Sequence, residues 1–138
     1  MSGDGNDVQP LVAARSDGFC EVFGFVHARE GYPVNLSGYP VAVMQVRQYQ
    51  GAPGAAPISL TNVASAADEG LFLVDAVAGL MQVRINRSTL EGMAGRHQPK
   101  AGAAQRFFYD IIFQATDGFV WKAAEGEFIL APGVTILP

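Results

Sequence analysis

Residues 106–124 read RFFYDIIFQATDGFVWKAA and carry the strongest strand and turn signals in the chain. Aromatic and branched side chains alternate along the first ten residues, which is the period-two pattern of a β-strand. Both faces of this strand are apolar, so we expect it to be central in a sheet and covered on both sides. Asp117-Gly118 then predicts a tight hairpin turn, and Phe119 to Ala124 is expected to return antiparallel.

Similar strand signals recur outward from this hairpin. Residues 19–26 and 41–48 alternate, and Ile58 to Val63 has the composition of a short strand. Residues 71–77 and 80–86 flank an Ala78-Gly79 turn and predict a second hairpin. The chain therefore predicts an all-β fold, and we expect an antiparallel β-sandwich of about seven strands.

Two interruptions of the strand pattern predict a β-bulge and a short helix. Glu125-Gly126-Glu127 separates Phe119–Ala124 from Phe128–Ala131 and indicates a β-bulge. Ser88-Thr89-Leu90-Glu91 has the spacing of a capping box, with Ser88 as the residue that caps the helix. Gly92 and Gly95 follow closely, so we expect one short helical turn at most.

The length of 138 residues suits one domain. Residues 1–18 open with a polar, glycine-rich run and a small apolar patch, and we interpret them as an N-terminal extended arm that a neighbouring subunit holds. Residues 19–138 then form the sandwich domain.

Composition excludes several classes of function. The net charge is −4 with no basic run, so a nucleic-acid partner is not expected. Cys20 is the single cysteine and cannot form an internal disulfide, which favours a reducing compartment. No apolar stretch approaches the roughly 20 residues that cross a bilayer, so no membrane association is expected. Charged residues make up 16%, below the average of about 25%, which indicates a surface partly covered by neighbours.

Catalytic and metal-binding motifs are not found in the sequence. His27 and His97 are the two histidines, and neither has another ligand at metal-binding spacing. Nucleophile-elbow and phosphate-loop motifs are missing too, so we expect no metal site, cofactor or enzyme activity. Asp110 is the one acid whose apolar surroundings favour a raised pKa. It is either a ladder residue with a local hydrogen-bond partner or a catalytic acid of a small hydrolase that works with a second, nearby acid.

Three aromatic residues are candidate platforms for stacking a sugar: Trp121, Phe119 and Tyr49. Burial in the core is the more common role for such residues, and the direction of the Trp121 side chain separates the two readings. Arg47 is either an anchor for a partner or an arginine packed on its own stem at a strand end.

Several short segments resemble an immunoglobulin-like module of tailed-phage proteins, best known at the N-terminus of baseplate upper proteins. The segments are Pro33-Val34-Asn35-Leu36-Ser37-Gly38-Tyr39, Met44-Gln45-Val46-Arg47, Tyr109-Asp110-Ile111 with Asp117-Gly118, Glu125-Gly126 and Pro132-Gly133-Val134-Thr135. The similarity spans about Phe19 to Ile136.

The resemblance implies an immunoglobulin-like sandwich with no cofactor and no active site. It implies that Leu36 and Tyr39 lock a corner, that Met44 and Val46 face the core, and that Tyr109 begins the inward set of the central strand. The implied function is that of a non-enzymatic structural protein of the virion, made in the host cytoplasm. It would act as an adaptor that anchors a fibre or spike to the tail or baseplate.

Two alternatives to the adaptor role remain open: a capsid or collar decoration protein, and a carbohydrate- or receptor-binding module. The expected partners are tail, baseplate, fibre or capsid subunits, with several copies of the chain in the assembly. We expect the arm and the two long loops, residues 51–57 and 94–105, to make the contacts. The candidate interface residues are Val8, Leu11, Val12, Tyr49, Pro53, Pro57, His97 and Pro99.

Overall fold

Two β-sheets pack face to face in the computed structural model, which describes residues 7–8, 11–14, 18–27, 29–93 and 104–131. These residues contain nine strands: β1 (Asp7–Val8), β2 (Leu11–Ala14), β3 (Phe19–Gly24), β4 (Val41–Arg47), β5 (Ile58–Thr61), β6 (Gly70–Asp75), β7 (Leu80–Ile85), β8 (Gln105–Gln114) and β9 (Val120–Ala131). A 3₁₀ turn at Leu36–Gly38 and a short helix, α1 (Arg87–Glu91), complete the described elements. Among those residues, no helix has the length and hydropathy that crossing a membrane requires.

The strand order is that of an immunoglobulin sandwich. The small sheet has the order β3-β7-β6, and the large sheet has the order β1-β9-β8-β4-β5, with β2 also paired to β9. With β3 taken as strand B, the small sheet has the order B-E-D. The strands β9-β8-β4-β5 of the large sheet then have the order G-F-C-C′, as in variable-type immunoglobulin domains. The predicted all-β sandwich is confirmed, and the N-terminal segment adds two strands to it.

Strand β8 lies between β4 and β9, and Asp117-Gly118 makes the hairpin turn as predicted. Gly118 has a φ of 92°, and its N–H donates to the carbonyl of Ala115. The expectation that β8 is covered on both faces is wrong. Phe107, Tyr109, Ile111 and Phe113 are buried against the small sheet, whereas the alternate residues Phe108, Asp110 and Ile112 stay half-exposed on the outer face.

The bulge in β9 lies at Ala123 and not at the predicted Glu125-Gly126-Glu127. Ile111 pairs with Ala124 while Ile112 pairs with Lys122, so Ala123 is the extra residue on this strand. Ala123 and Ala124 are consecutive and both are buried, as expected where a bulge interrupts the alternation. The strand continues through residues 125–127 without a further shift of register.

Aromatic rings join the two sheets. The ring of Phe25, just after β3, lies edge-on to Phe113 at 5.3 Å between centroids and contacts Trp121 at 6.2 Å. Tyr39 packs against the same two rings at 5.8 Å and 5.6 Å. Leu36 is fully buried, and its N–H donates to the carbonyl of Ala76. The residues before β4 therefore form a packed corner, and Met44 and Val46 in β4 face the core as expected.

Residues 7–8 and 11–14 of the N-terminal segment pair with the large sheet of their own chain, which differs from the expectation of an arm held by a neighbour. Leu11 and Ala13 pair in parallel with Phe128 and Leu130 of β9. Both are buried in the core, whereas Val12 between them is 60% exposed. Alternate residues of a strand point to opposite faces, so pairing with β9 turns Leu11 and Ala13 inward and Val12 outward.

The capping-box prediction is wrong, although a single short helix does form. Asn86 precedes α1, and its carbonyl accepts from the N–H groups of Thr89 and Leu90. Ser88 lies inside the helix and Leu90 is fully buried. The helix therefore begins two residues earlier than the capping box predicts, with Leu90 packed in the core.

Leu11→Ala is expected to destabilise the chain by about 2–5 kcal/mol, because it leaves a cavity in the core beside β9. Val12→Ala, one residue along the same strand, should change the free energy of unfolding by less than about 0.5 kcal/mol, because its side chain faces solvent. Urea denaturation of both variants measures the difference. Equal small effects would show that the N-terminal segment does not contribute to the core.

Gly79→Ala is expected to destabilise the chain more than Gly118→Ala. Both glycines have positive φ, 72° and 92°, so alanine is strained at each by about 1–2 kcal/mol. A Cβ at Gly79 would lie 2.7 Å from the carbonyl oxygen of Phe25 and 2.8 Å from that of Val34. At Gly118 it would meet nothing within 4 Å. Thermal unfolding compares the two variants, and equal melting temperatures would contradict the close approach at Gly79.

Candidate functional site

A cleft of about 240 Å³ lies on the outer face of the large sheet, across β4, β8 and β9. The loop after β4, residues 48–57, contributes to its wall. Its lining includes Gln45, Arg47, Tyr49, Asp110, Lys122 and Glu125.

The register of three strands brings the polar residues of the cleft together. Gln45 of β4 lies opposite Asp110 of β8, and Asp110 lies opposite Glu125 of β9. All three are on the outer face because their neighbours Met44, Ile111 and Ala124 point into the core. The result is a row of polar side chains across the middle of the sheet.

The bulge at Ala123 adds Lys122 to this row. Residues three apart on a regular strand point to opposite faces, but the extra residue brings Lys122 and Glu125 to the same face. The Lys122 Nζ atom lies 3.4 Å from Oε1 of Glu125 and 3.9 Å from Oδ2 of Asp110. The ammonium group of Lys122 therefore forms ion pairs with two carboxylates.

Burial raises the pKa of the Asp110 carboxyl above its ordinary value. The neighbouring positive charge of Lys122 opposes the rise, Glu125 adds to it, and Arg47 opposes it. The half-buried position on a sheet face disfavours the charged form more than the two cations favour it. The raised pKa expected from the sequence agrees in direction, but the Lys122 ammonium, 3.9 Å away, is an ion-pair partner of Asp110 and not the hydrogen-bond partner that the ladder interpretation expects.

Arg47 holds the loop that forms one wall of the cleft. Its Nη1 donates to the carbonyls of Ala52 at 2.9 Å and Gly54 at 2.7 Å, and its Nη2 donates to Oε1 of Gln45 at 3.1 Å. The N–H of Ala52 in turn donates to the carbonyl of Tyr49 at 3.1 Å. The guanidinium is thus occupied within the chain, where the sequence suggested either a partner anchor or an arginine on its own stem.

The chemistry of the cleft is that of a polar binding site with balanced charge. Two carboxylates face Lys122 and Arg47, and Gln45 supplies both a donor and an acceptor. Within the part of the chain that the structure describes, no three His, Cys, Asp or Glu side chains group together as metal ligands do. Sequence reasoning singled out Asp110 but missed Glu125 and Lys122, because their approach depends on the position of the bulge.

The eight interface residues proposed from the sequence differ in how far they are exposed in the structure. Tyr49 is 51% exposed, and Val12, Pro53 and Pro57 are also exposed, so these four remain candidates for partner contact. Leu11 is not one of them, because it is buried at 4% exposure in the core of its own chain. Val8 pairs through its backbone with Glu125, and its side chain is not described. His97 and Pro99 lie outside the described residues.

The three aromatic residues proposed as sugar-stacking platforms also differ in exposure. Trp121 is only 6% exposed and packs against Phe113, so it belongs to the core and offers no stacking surface. Phe119, at 46% exposure, lies in the hairpin turn away from the cleft, and Tyr49 lines the cleft. Of the three, Tyr49 is the aromatic residue that combines exposure with polar neighbours.

No family model matches the chain, and the search of curated proteins finds no match. The resemblance to the phage module stays a prediction.

Asp110→Asn is expected to flatten the dependence of stability on pH. A raised pKa means that the folded chain binds more protons than the unfolded chain, so stability falls as pH rises from the unfolded pKa through the folded one. This contribution is fully present below the unfolded pKa and is lost above the folded pKa. Wild type should therefore lose more stability than the variant over the pH range that begins near pH 4, the ordinary pKa of an unfolded aspartate, and extends upward. Urea denaturation across this range measures the slope, with Asp68→Asn, an exposed loop acid outside the cleft, as the control.

Arg47→Lys is expected to loosen residues 49–54 while the sandwich stays folded. A lysine ammonium keeps the charge but lacks the planar fork that reaches two carbonyls and a carboxamide together. The amide hydrogen of Ala52 should exchange with solvent several times faster, as measured by hydrogen-deuterium exchange. Arg84→Lys on the small sheet is the matched control, and unchanged exchange in Arg47→Lys would contradict the role of the guanidinium in holding the loop.

Proposed function

We propose that the chain is a non-enzymatic structural subunit of a tailed-phage virion, present in several copies. It acts as an adaptor in the tail or baseplate that anchors a fibre or spike. The immunoglobulin strand order and the resemblance of its segments to the phage module support this proposal. The observation that carries it is an exposed apolar end of the sandwich.

The apolar end is a set of large hydrophobic side chains exposed at 43–68% on the loops and strand ends of one side of the sandwich. Its members are Val26, Tyr32, Val41, Val77, Phe119 and Val120.

Backbone pairing and ring contacts place these residues at the same end. The N–H of Phe25, beside Val26, donates to the carbonyl of Gly79, in the turn that contains Val77. The ring of Phe25 contacts Phe113 and Trp121, which are paired next to the hairpin turn containing Phe119. Val41 and Val120 both pair with Gln114, the last residue of β8.

Exposed apolar groups that lie together favour contact with another protein. Two acids at this end are engaged in the turns: Asp75 accepts from the N–H of Ala78, and Asp117 accepts from that of Phe119. Immunoglobulin variable domains also bind through loops at one end of the sandwich. These features support docking onto a protein subunit in a lasting assembly, whose interface is more apolar than a transient one.

Particles purified by density gradient from the strain that carries the gene test the virion role. We expect mass spectrometry to find the chain in the particles, in an amount comparable to that of the tail proteins. Its presence in the lysate together with its absence from purified particles would overturn the proposal.

Variants at the apolar end test the docking surface. Val77→Ser combined with Phe119→Ser should reduce incorporation into particles at least several-fold, because the exposed apolar contact is lost while the core is unchanged. Val22→Ser, at a residue 55% exposed on β3, is the control and should be incorporated like wild type. Thermal unfolding of the purified variants shows whether each remains folded.

A further inference from the structure

We propose that the cleft on the outer face of the large sheet binds a neutral saccharide unit, with Tyr49 stacked on the sugar ring and Gln45, Asp110, Lys122 and Glu125 bonded to its hydroxyl groups. This function goes beyond the virion role, and neither proposal depends on the other.

The size and exposure of the cleft suit a small polar ligand. Its volume of about 240 Å³ is below the range of roughly 300–1,000 Å³ typical of pockets for drug-sized molecules. The charged side chains stay within reach of solvent, at 43% exposure for Lys122, 34% for Asp110 and 26% for Glu125. One sugar ring, free or within a longer glycan, fits such a cleft on an open sheet face.

The polar groups of the cleft match hydroxyl chemistry. A hydroxyl group both donates and accepts, so a ring of hydroxyls needs a site with donors and acceptors side by side. Asp110 and Glu125 accept, Lys122 donates, and Gln45 does both. The ion pairs to Lys122 hold the two carboxylates, and Arg47 and Ser59 hold the Gln45 carboxamide. The hydrogen-bonding groups are therefore arranged before the ligand arrives, which lowers the entropy cost of binding.

The charge balance favours a neutral ligand over an ionic one. The carboxylates of Asp110 and Glu125 are matched by the cations of Lys122 and Arg47. A charged ligand therefore meets little net attraction, and one that pairs with Lys122, Asp110 or Glu125 must disrupt the ion pairs already there. A neutral polyol can bond to Gln45, Asp110, Lys122 and Glu125 without that cost.

Tyr49 supplies the apolar contact that a sugar ring requires. One face of a pyranose ring presents C–H groups, and an aromatic ring that is partly exposed provides the matching surface. Tyr49 is 51% exposed at the wall of the cleft, and Phe108 lines the cleft as well. Because Arg47 binds the carbonyls of Ala52 and Gly54, the loop that carries Tyr49 is fixed in place.

A titration of the ¹⁵N-labelled full chain tests the proposal. The probes are the methyl glycosides of glucose, galactose, mannose and N-acetylglucosamine, added separately, with methyl glucuronide and spermidine as charged comparisons. At least one neutral glycoside should give saturable chemical-shift changes at the cleft, with a Kd of about 1 mM, and the charged probes should bind more weakly. The proposal is overturned if none of the neutral glycosides gives saturable changes there, or if a charged probe binds the cleft more tightly.

Paired tyrosine variants locate the site. Tyr49→Ala should weaken binding at least tenfold, whereas Tyr32→Ala should bind as wild type, since Tyr32 is 55% exposed but lies at the apolar end. Gln45→Ala is a second cleft variant and should weaken binding too. The amide spectra report whether each variant is folded, and unchanged binding by Tyr49→Ala would contradict the site. None of these outcomes affects the virion role, which is measured by particle composition.

Discussion

The packing of Phe25 against Phe113 and Trp121 is the contact on which the rest of the structure depends. The chain has one cysteine, so no disulfide within the domain ties the sheets together, and apolar burial must hold them. The three rings connect the end of β3 to the hairpin of β8 and β9. The same contact brings the loops of the apolar end together, so the core and the proposed docking surface share one cause.

The bulge at Ala123 links the core to the cleft. It lets one strand place Trp121 inside the sandwich and then Lys122 and Glu125 together on the outer face. A regular strand would have separated those two charges to opposite faces. The ion pairs of Lys122 with Asp110 and Glu125 follow from this single extra residue, and the proposed saccharide site uses all three side chains.

The two proposed surfaces are separated along the sandwich. Val41 at the apolar end and Arg47 beside the cleft lie at opposite ends of β4, about 20 Å apart at the rise of an extended strand. A subunit docked through the apolar end would leave the cleft and its Tyr49 wall open. Under these proposals, one small sandwich anchors itself in a particle through one surface and presents a second surface to a glycan.

Alternation and turn chemistry in the sequence by itself determined the seven strands from β3 to β9, the β8–β9 hairpin and the all-β class, because these depend on neighbouring residues. Asp110 was also found there, since a lone acid in an apolar strand is visible locally. Only the tertiary structure decided that Leu11 and Trp121 are buried and that the outer face of β8 lies open. It also placed the bulge that brings Lys122 and Glu125 to Asp110. Those outcomes depend on which strands pair and in what register. Residues far apart in the chain decide the pairing and the register together.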